Sequence, residues 1–291
     1  MKKNMLLGLG LLLGSSLFAQ DKVEDKLWSF KGVTGINTSQ TALVNWSAGG
    51  SNTMAINGFL NLSANYKKDK FLWNNNFSTE YGTVYTKDNG WVKSVDKIQF
   101  DTKFGYKLTK KWYLSSLVDF KTQYDKGYNK PTDENYISKF MAPGYLNVSL
   151  GLDYQACQYW SLYISPVNAK MTFVTDDYLS NLGAFGVKKG DKFKFEGGTF
   201  VRSTFNKEIM KNVTLISKLE LFSAYNNHYG NIDVNWENIL SMKINKFLNA
   251  TVQTNLVYDD DVKEYDGTGQ MIKGARVQFK EMIAVGVAYN F

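Results

Sequence analysis

From residue 28 onward the chain alternates apolar and polar residues with a period of two, the pattern of strands that show one face to each side of a sheet. In 281–291, Ile283, Val285, Val287, Tyr289 and Phe291 share one face, and Met282, Ala284, Gly286, Ala288 and Asn290 the other. Residues 54–66 set Met54, Ile56, Leu60, Leu62, Ala64 and Tyr66 against Ala55, Asn57, Asn61, Ser63 and Asn65. In 213–225 the apolar face is Val213, Leu215, Leu219, Leu221 and Tyr225, opposite Thr214, Lys218 and Glu220. In 232–244, Ile232, Val234, Trp236, Leu240, Met242 and Ile244 oppose Asn235, Glu237, Ser241 and Lys243. The pattern predicts about twelve strands, near 28–39, 52–67, 70–86, 94–108, 111–126, 144–155, 159–174, 192–206, 211–225, 231–245, 248–259 and 277–291.

The predicted connections alternate in length. Short ones fall at 67–70, 109–111, 155–158, 206–211 and 245–247, and long ones near 40–51, 87–93, 127–143, 175–191 and 260–276, with 226–230 short where a long one is due. Short turns on one side and long loops on the other mark an antiparallel barrel in an outer membrane, turns inward and loops outward. An even number of strands sets both ends of the barrel on the periplasmic side. Aromatic residues collect beside the short turns (Tyr66, Phe71, Trp73, Trp112, Tyr159, Trp160, Phe247, Phe291) and at the far ends (Tyr85, Tyr124, Phe173, Tyr225, Tyr229, Tyr258). Two such belts are what the two interfaces of a bilayer favour. The expected fold is therefore all-β, a transmembrane antiparallel barrel. Pro166 breaks its strand's alternation: Trp160, Leu162 and Ile164 precede it on the outer register, and Val167, Ala169, Met171 and Phe173 follow. One extra residue there is a β-bulge.

The beginning of the chain adds an address. Lys2 and Lys3, the apolar run Met5–Leu13 and the small-residue stretch ending at Ala19 have the layout of a secretory signal with cleavage after Ala19. The expected division is a signal peptide at 1–20, a short periplasmic segment at 21–27 and the barrel at 28–291. Composition agrees: 291 residues carry 15% aromatics and only 3 prolines, which donate nothing to a sheet ladder. The single cysteine, Cys157, excludes an intramolecular disulfide, and no cofactor is indicated. The net charge of +7 is spread along the chain and is no nucleic-acid stripe. Expected partners are outer-membrane lipid and lipopolysaccharide, with the barrel-assembly machinery during biogenesis.

The face opposite the lipid is charged. Glu80, Lys97, Asp101, Lys103, Asp119, Lys121, Asp153, Lys194, Glu196, Arg202, Lys218, Glu220, Glu237 and Lys243 bring both signs in similar number to a narrow lumen. They either neutralise one another as a rigid filling or line a polar pore. Trp46, in Asn45-Trp46-Ser47-Ala48-Gly49-Gly50, is a constriction at the mouth, a flat face for a sugar ring or a packed turn residue. The loop at 175–183 fits one helical turn capped by Thr175 or Asp176, a lid over the lumen or a plain surface loop. Asp259-Asp260-Asp261 departs from an EF-hand at Lys263 and reads better as a solvated loop than as a calcium site. His228 sits in a turn without a recognisable catalytic partner.

Several stretches bring a family to mind. They are Asn45–Gly50, the run Ala142-Pro143-Gly144-Tyr145-Leu146-Asn147-Val148-Ser149-Leu150-Gly151-Leu152-Asp153-Tyr154, and the run from Ser165-Pro166-Val167-Asn168-Ala169 through Asp177-Tyr178-Leu179-Ser180-Asn181 to Val187. On these motifs the chain resembles the Bacteroidota outer-membrane barrels catalogued as domain of unknown function 3078. The resemblance implies an outer-membrane location and no catalytic residues. Three functions stay open: a pore or transporter for a small polar solute, a plugged accessory barrel that holds a partner protein or surface component, and, least supported, a hydrolase at His228. The export reading has a direct check. N-terminal sequencing of the protein from outer-membrane fractions is expected to begin at Gln20; a chain retaining Met1 contradicts it.

Overall fold

A computed structural model describes residues 27–42, 52–128, 132–226, 229–259, 264–265 and 271–291. The strands are β1 (Trp28–Thr41), β2 (Thr53–Lys68), β3 (Phe71–Thr86), β4 (Gly90–Lys107), β5 (Trp112–Thr122), β6 (Gly144–Cys157), β7 (Trp160–Phe173), β8 (Phe193–Met210), β9 (Val213–Ala224), β10 (Asp233–Lys243), β11 (Leu248–Tyr258), β12 (Glu264–Tyr265), β13 (Met271–Lys273) and β14 (Gln278–Asn290). Twelve of them, β1–β11 and β14, form one closed antiparallel barrel in which each strand pairs with its neighbour and β14 returns to β1. Strands β12 and β13 make a separate small ladder. Closure leaves no open edge, the condition for a sheet to stand in hydrocarbon.

The alternation sorts the two faces as expected. Ile36, Ile56, Leu62, Phe104, Leu150, Phe195, Ile283 and Val287 are exposed on the outside, an apolar band suited to lipid. Outward hydroxyls are tied down within that band. The indoles of Trp73, Trp160 and Trp236 donate to Thr102 Oγ1, Ser203 Oγ and Ser217 Oγ at 2.7, 3.0 and 3.0 Å. Each bond satisfies two polar groups on the outward face of the barrel. Ring pairs gather at both ends. Trp28 meets Tyr66 and Trp73, and Trp112 meets Tyr154, beside the short turns. Tyr85–Trp91, Phe173–Phe193 and Tyr225–Tyr229 lie at the far rim.

The turns at one end span 69–70, 108–111, 158–159, 211–212 and 244–247. The opposite end has 42–52, 123–143, 174–192, 225–232 and 259–277, so the connection expected to be short at 226–230 is eight residues long. The expected long connection at 87–93 is corrected. It is a three-residue turn at 87–89, followed by Gly90 in the left-handed region at φ 65°, which glycine enters without a Cβ clash. Strands β3 and β4 run on to meet there, pairing Tyr85 with Trp91. A register shift opposite Gly82 and Thr83 takes in Ser94, which interrupts the alternation and makes the strand seem to start later. Strand β8 likewise continues past Asn206 to Met210, and Glu208 accepts the Asn212 N–H at 2.7 Å to close the turn.

The proline bulge stands where the alternation breaks. Leu150 pairs with Val167 and Leu152 with Ile164, so Gly151 alone faces Ser165–Pro166. Ser165 and Asn168 both point inward and are buried. The exposed carbonyl of Pro166 accepts the Tyr225 hydroxyl at 2.7 Å.

The helical turn in the 174–192 connection is α1 (Asp177–Leu182), capped by Asp176, which accepts the Leu179 N–H at 3.1 Å. Asp176 also accepts the Tyr136 hydroxyl at 2.9 Å and the Lys139 ammonium at 3.0 Å from the preceding long connection. Partial burial pushes this carboxyl up. The Leu179 N–H, Lys139 and Tyr136 outweigh that and hold it below the usual carboxylate range. Ala142, Val174, Leu179 and Val187 pack beneath as a small core. Residues 1–26, the Asn45–Gly50 motif with Trp46, His228, and Asp260 and Asp261 lie outside the described residues.

The β1–β14 seam is tightest at Gly286, where any Cβ would collide with the Asn37 amide and the Ile36 carbonyl. Backbone on the partner strand cannot give way without opening the ladder. Gly286→Val is expected to destabilise the barrel by about 1–3 kcal/mol, read as a lower urea midpoint in micelles and loss of the compact unheated band on gels.

Candidate functional site

Alternation in neighbouring strands aims charged side chains at the same level of the lumen. Strand β4 supplies Lys97 and Asp101, β5 Asp119 and Lys121, β8 Arg202, β9 Lys218 and Glu220, and β10 Glu237. They join into one network. Arg202 reaches Asp119 at 3.1 Å, Glu220 at 2.5 Å and Asp101 at 3.8 Å. Lys121 meets Glu220 at 2.7 Å and Asp119 at 3.6 Å. Lys218 lies 3.7 Å from Glu220 and 3.6 Å from Glu237, and Lys97 closes the circuit on Glu237 at 2.6 Å. The circuit leaves β4 at Asp101, crosses to β8, β9 and β10, and returns to β4 at Lys97. Four cations face four anions, so charges taken out of bulk water are repaid by one another.

The other expected lumen residues also face inward, and the structure ties most of them down. Lys103 binds Asp153 at 3.0 Å, and Lys194 binds Glu196 at 3.0 Å. Glu80 accepts the Asn57 amide at 2.5 Å. Lys243 lines a chamber nearer the short turns. Trp46 cannot be placed, since it is outside the described residues.

Two features were not foreseen. Lys170 stands inside, 2.6 Å from Asp233, 3.2 Å from Asp259 and 4.0 Å from Glu196, with its ammonium 5.1 Å from the centre of the Phe222 ring. Its inward direction follows from the Pro166 bulge, which turns Val167 and Ala169 outward and so turns Lys170 in. Asp259, read from sequence as part of a solvated acidic loop, is instead engaged by this lysine. The second is apolar filling inside the lumen: Leu117, Tyr163, Phe200, Phe222 and Ala224 form a buried cluster. Tyr163 shares a 2.9 Å hydrogen bond with Ser149.

The filling is lopsided. Ser115, Leu117, Asp119, Ser149, Asp153 and Tyr163, all from β5–β7, are buried, while no residue of β11 is fully buried. Hollow space is left at both ends. Toward the long loops a cavity of about 420 Å³ is lined by Lys97, Lys121, Tyr145, Lys170 and Glu237, with Phe185 from the segment after α1. Toward the short turns a cavity of about 590 Å³ runs past Phe59, Asn61, Glu80, Lys97, Lys243 and Gln253. Both volumes fall in the range of about 300–1,000 Å³ usual for small-molecule sites. Lys97 lines both. Among the described residues, no cluster of three or more His, Cys, Asp or Glu side chains is placed to hold a metal ion.

Removing one member of the buried circuit strands the others. Arg202→Met is expected to lower unfolding stability by about 3–5 kcal/mol, measured by urea titration in micelles. Lys192→Met, which breaks only the exposed pair with Asp177, is expected to cost about 0–1 kcal/mol. Equal losses in the two variants would contradict a structural role for the circuit.

A family model described as a protein of unknown function (DUF3078) matches residues 38–128. That stretch includes the Asn45–Gly50 motif and ends before the motifs at 142–154 and 165–187. No curated protein matches the chain. Among solved structures, an outer membrane channel from Pseudomonas putida F1 is similar at 11% identity over 93% of this chain and 100% of that one, with a TM-score of 0.42. The NanC porin is similar at 14% identity over 88% and 98%, TM-score 0.40. The translocator domain of the autotransporter NalP from Neisseria meningitidis is similar at 8% identity over 90% and 88%, TM-score 0.39. The chain thus carries a DUF3078 match within a closed twelve-stranded barrel of the transmembrane type.

Proposed function

We propose that this chain is an outer-membrane barrel that passes small polar solutes through a side-chain gate. In this reading residues 1–20 are a removed export signal, 21–27 lie in the periplasm, and 28–291 form the barrel with its long loops outward. The motifs at 45–50, 142–154 and 165–187 support placing it among the outer-membrane barrels of the Bacteroidota. Lipid and lipopolysaccharide would surround it, and the barrel-assembly machinery would insert it.

One observation carries the reading: cavities at opposite ends of the lumen share a lining residue, Lys97. Its ammonium is held by Glu237 at 2.6 Å, and its side chain keeps 29% of its surface exposed. Glu237 keeps only 14% of its own side-chain surface exposed, so Lys97 is the more solvated partner of the pair. A lysine side chain can change rotamer without moving the backbone. Lys97 is thus the more solvated end of the circuit and the member placed to gate it, whereas Arg202, with 8% of its side-chain surface exposed, has the burial of a strut. That buried filling favours the second reading, an accessory barrel whose lumen stays shut.

Planar-bilayer recording separates the two. The purified protein is expected to give discrete channels, with a higher unit conductance in Lys97→Ala. Absence of channels from both proteins, each shown folded by its compact unheated gel band, overturns the pore and leaves the accessory barrel.

A further inference from the structure

The two ends of the barrel differ in charge. The five short turns with their flanks, 67–70, 107–111, 155–159, 207–212 and 243–247, hold ten lysines against Asp69 and Glu208. The connections at the other end, 42–52, 87–89, 123–143, 174–192, 225–232 and 259–277, hold ten lysines and arginines against twelve acidic residues. Among the described residues, none of the ten short-turn lysines is in an ion pair; other lysines form those pairs. Every short turn except the one at 158–159 contributes to this collar, so its charge runs around most of the barrel. Lys243 and Lys246 stand at the chamber that opens on this side.

Three of the other lysines are fixed against the outward aromatic belt. The ammonium of Lys70 lies 5.8 Å from the centre of the Tyr106 ring, that of Lys111 5.9 Å from Tyr154 and that of Lys207 4.5 Å from Tyr159. Tyr106 and Tyr159 are exposed on the outside. Aromatic belts of this kind sit at the level of lipid headgroups. A lysine there lays its stem on apolar surface and keeps its ammonium among the polar groups. The three cations are therefore at the depth of the phosphates, and contact with a ring leaves less side-chain freedom to lose when a phosphate binds. The distribution also selects the partner. A soluble protein would cover one side of the collar and leave the rest unneutralised, whereas a shell of lipids meets it all the way round.

We propose that the short-turn collar binds the headgroups of anionic phospholipids. In the orientation proposed above, it lies in the inner leaflet. Electron paramagnetic resonance of spin-labelled lipids tests this on the barrel reconstituted in phosphatidylcholine vesicles. Labelled phosphatidylglycerol is expected to associate about fivefold more strongly than labelled phosphatidylcholine, and the preference to shrink in about 0.5 M sodium chloride. Replacing Lys70→Gln, Lys111→Gln and Lys207→Gln together is expected to remove about half of the preference or more. Lys87→Gln, Lys188→Gln and Lys189→Gln together remove the same charge from the other end and are expected to preserve it. Equal association of the two lipids with the unaltered chain, a preference indifferent to salt, or equal loss in the two triple variants overturns the proposal. Equal association together with cosedimentation on peptidoglycan sacculi that the collar variant loses gives the collar to the cell wall instead. The lipid ratio is read on the unaltered chain, so the test stands even if a variant fails to fold. It requires no passage through the lumen: a barrel that conducts without lipid preference keeps the pore and loses the collar, and one that prefers anionic lipid without conducting does the reverse.

Discussion

Backbone N–H and C=O groups in hydrocarbon have no partners except one another, and the β1–β14 ladder is where this chain meets that requirement last. Eleven ladders form between sequential neighbours, and the twelfth must join the first strand to the last across the whole intervening sequence. The seam is built for close approach. Gly286 leaves no room for a Cβ beside Asn37, and the Phe291 ring covers Gly32 while their backbones exchange hydrogen bonds at 2.7 and 2.9 Å. Outside the seam the same shortage of partners explains why Trp73, Trp160 and Trp236 each hold a hydroxyl of the adjoining strand.

Closure creates the second constraint. A barrel of twelve strands has a narrow interior, and its inward side chains must fill it or leave water there. One wall, β5–β7, fills it with Leu117, Tyr163 and buried carboxylates. The opposite wall, β10 and β11, has no fully buried residue. The ionic circuit lies where the two meet. It holds the filled side rigid and ends at Lys97, the member that borders both cavities.

The strand number, the inward charges and the Pro166 bulge are legible in the sequence because period-two alternation reports directly which way a side chain points. The same signal hides other features. An extra residue at Ser94 makes β4 seem to begin late and lengthens the apparent loop before it. Leu117, Phe200 and Phe222 are apolar yet inward, and a reading that equates polar with lumen passes over them. Direction is also not partnership: Lys97 and Glu237 are 140 residues apart in the chain, and only the curvature of the closed sheet brings them across the lumen to each other. Lys170 was within reach, because following the bulge one position further turns it inward.

Asp176 has a consequence for the rim. A single carboxylate caps α1 and also grips Tyr136 and Lys139 of the preceding connection, above the shared core of Ala142, Val174, Leu179 and Val187. The described parts of these two connections are thus cross-braced into one unit, in which neither side can shift without breaking the Asp176 contacts or uncovering that core. Phe185 joins that brace to the wall of the cavity below, so the packing of the rim and the shape of that cavity share a residue.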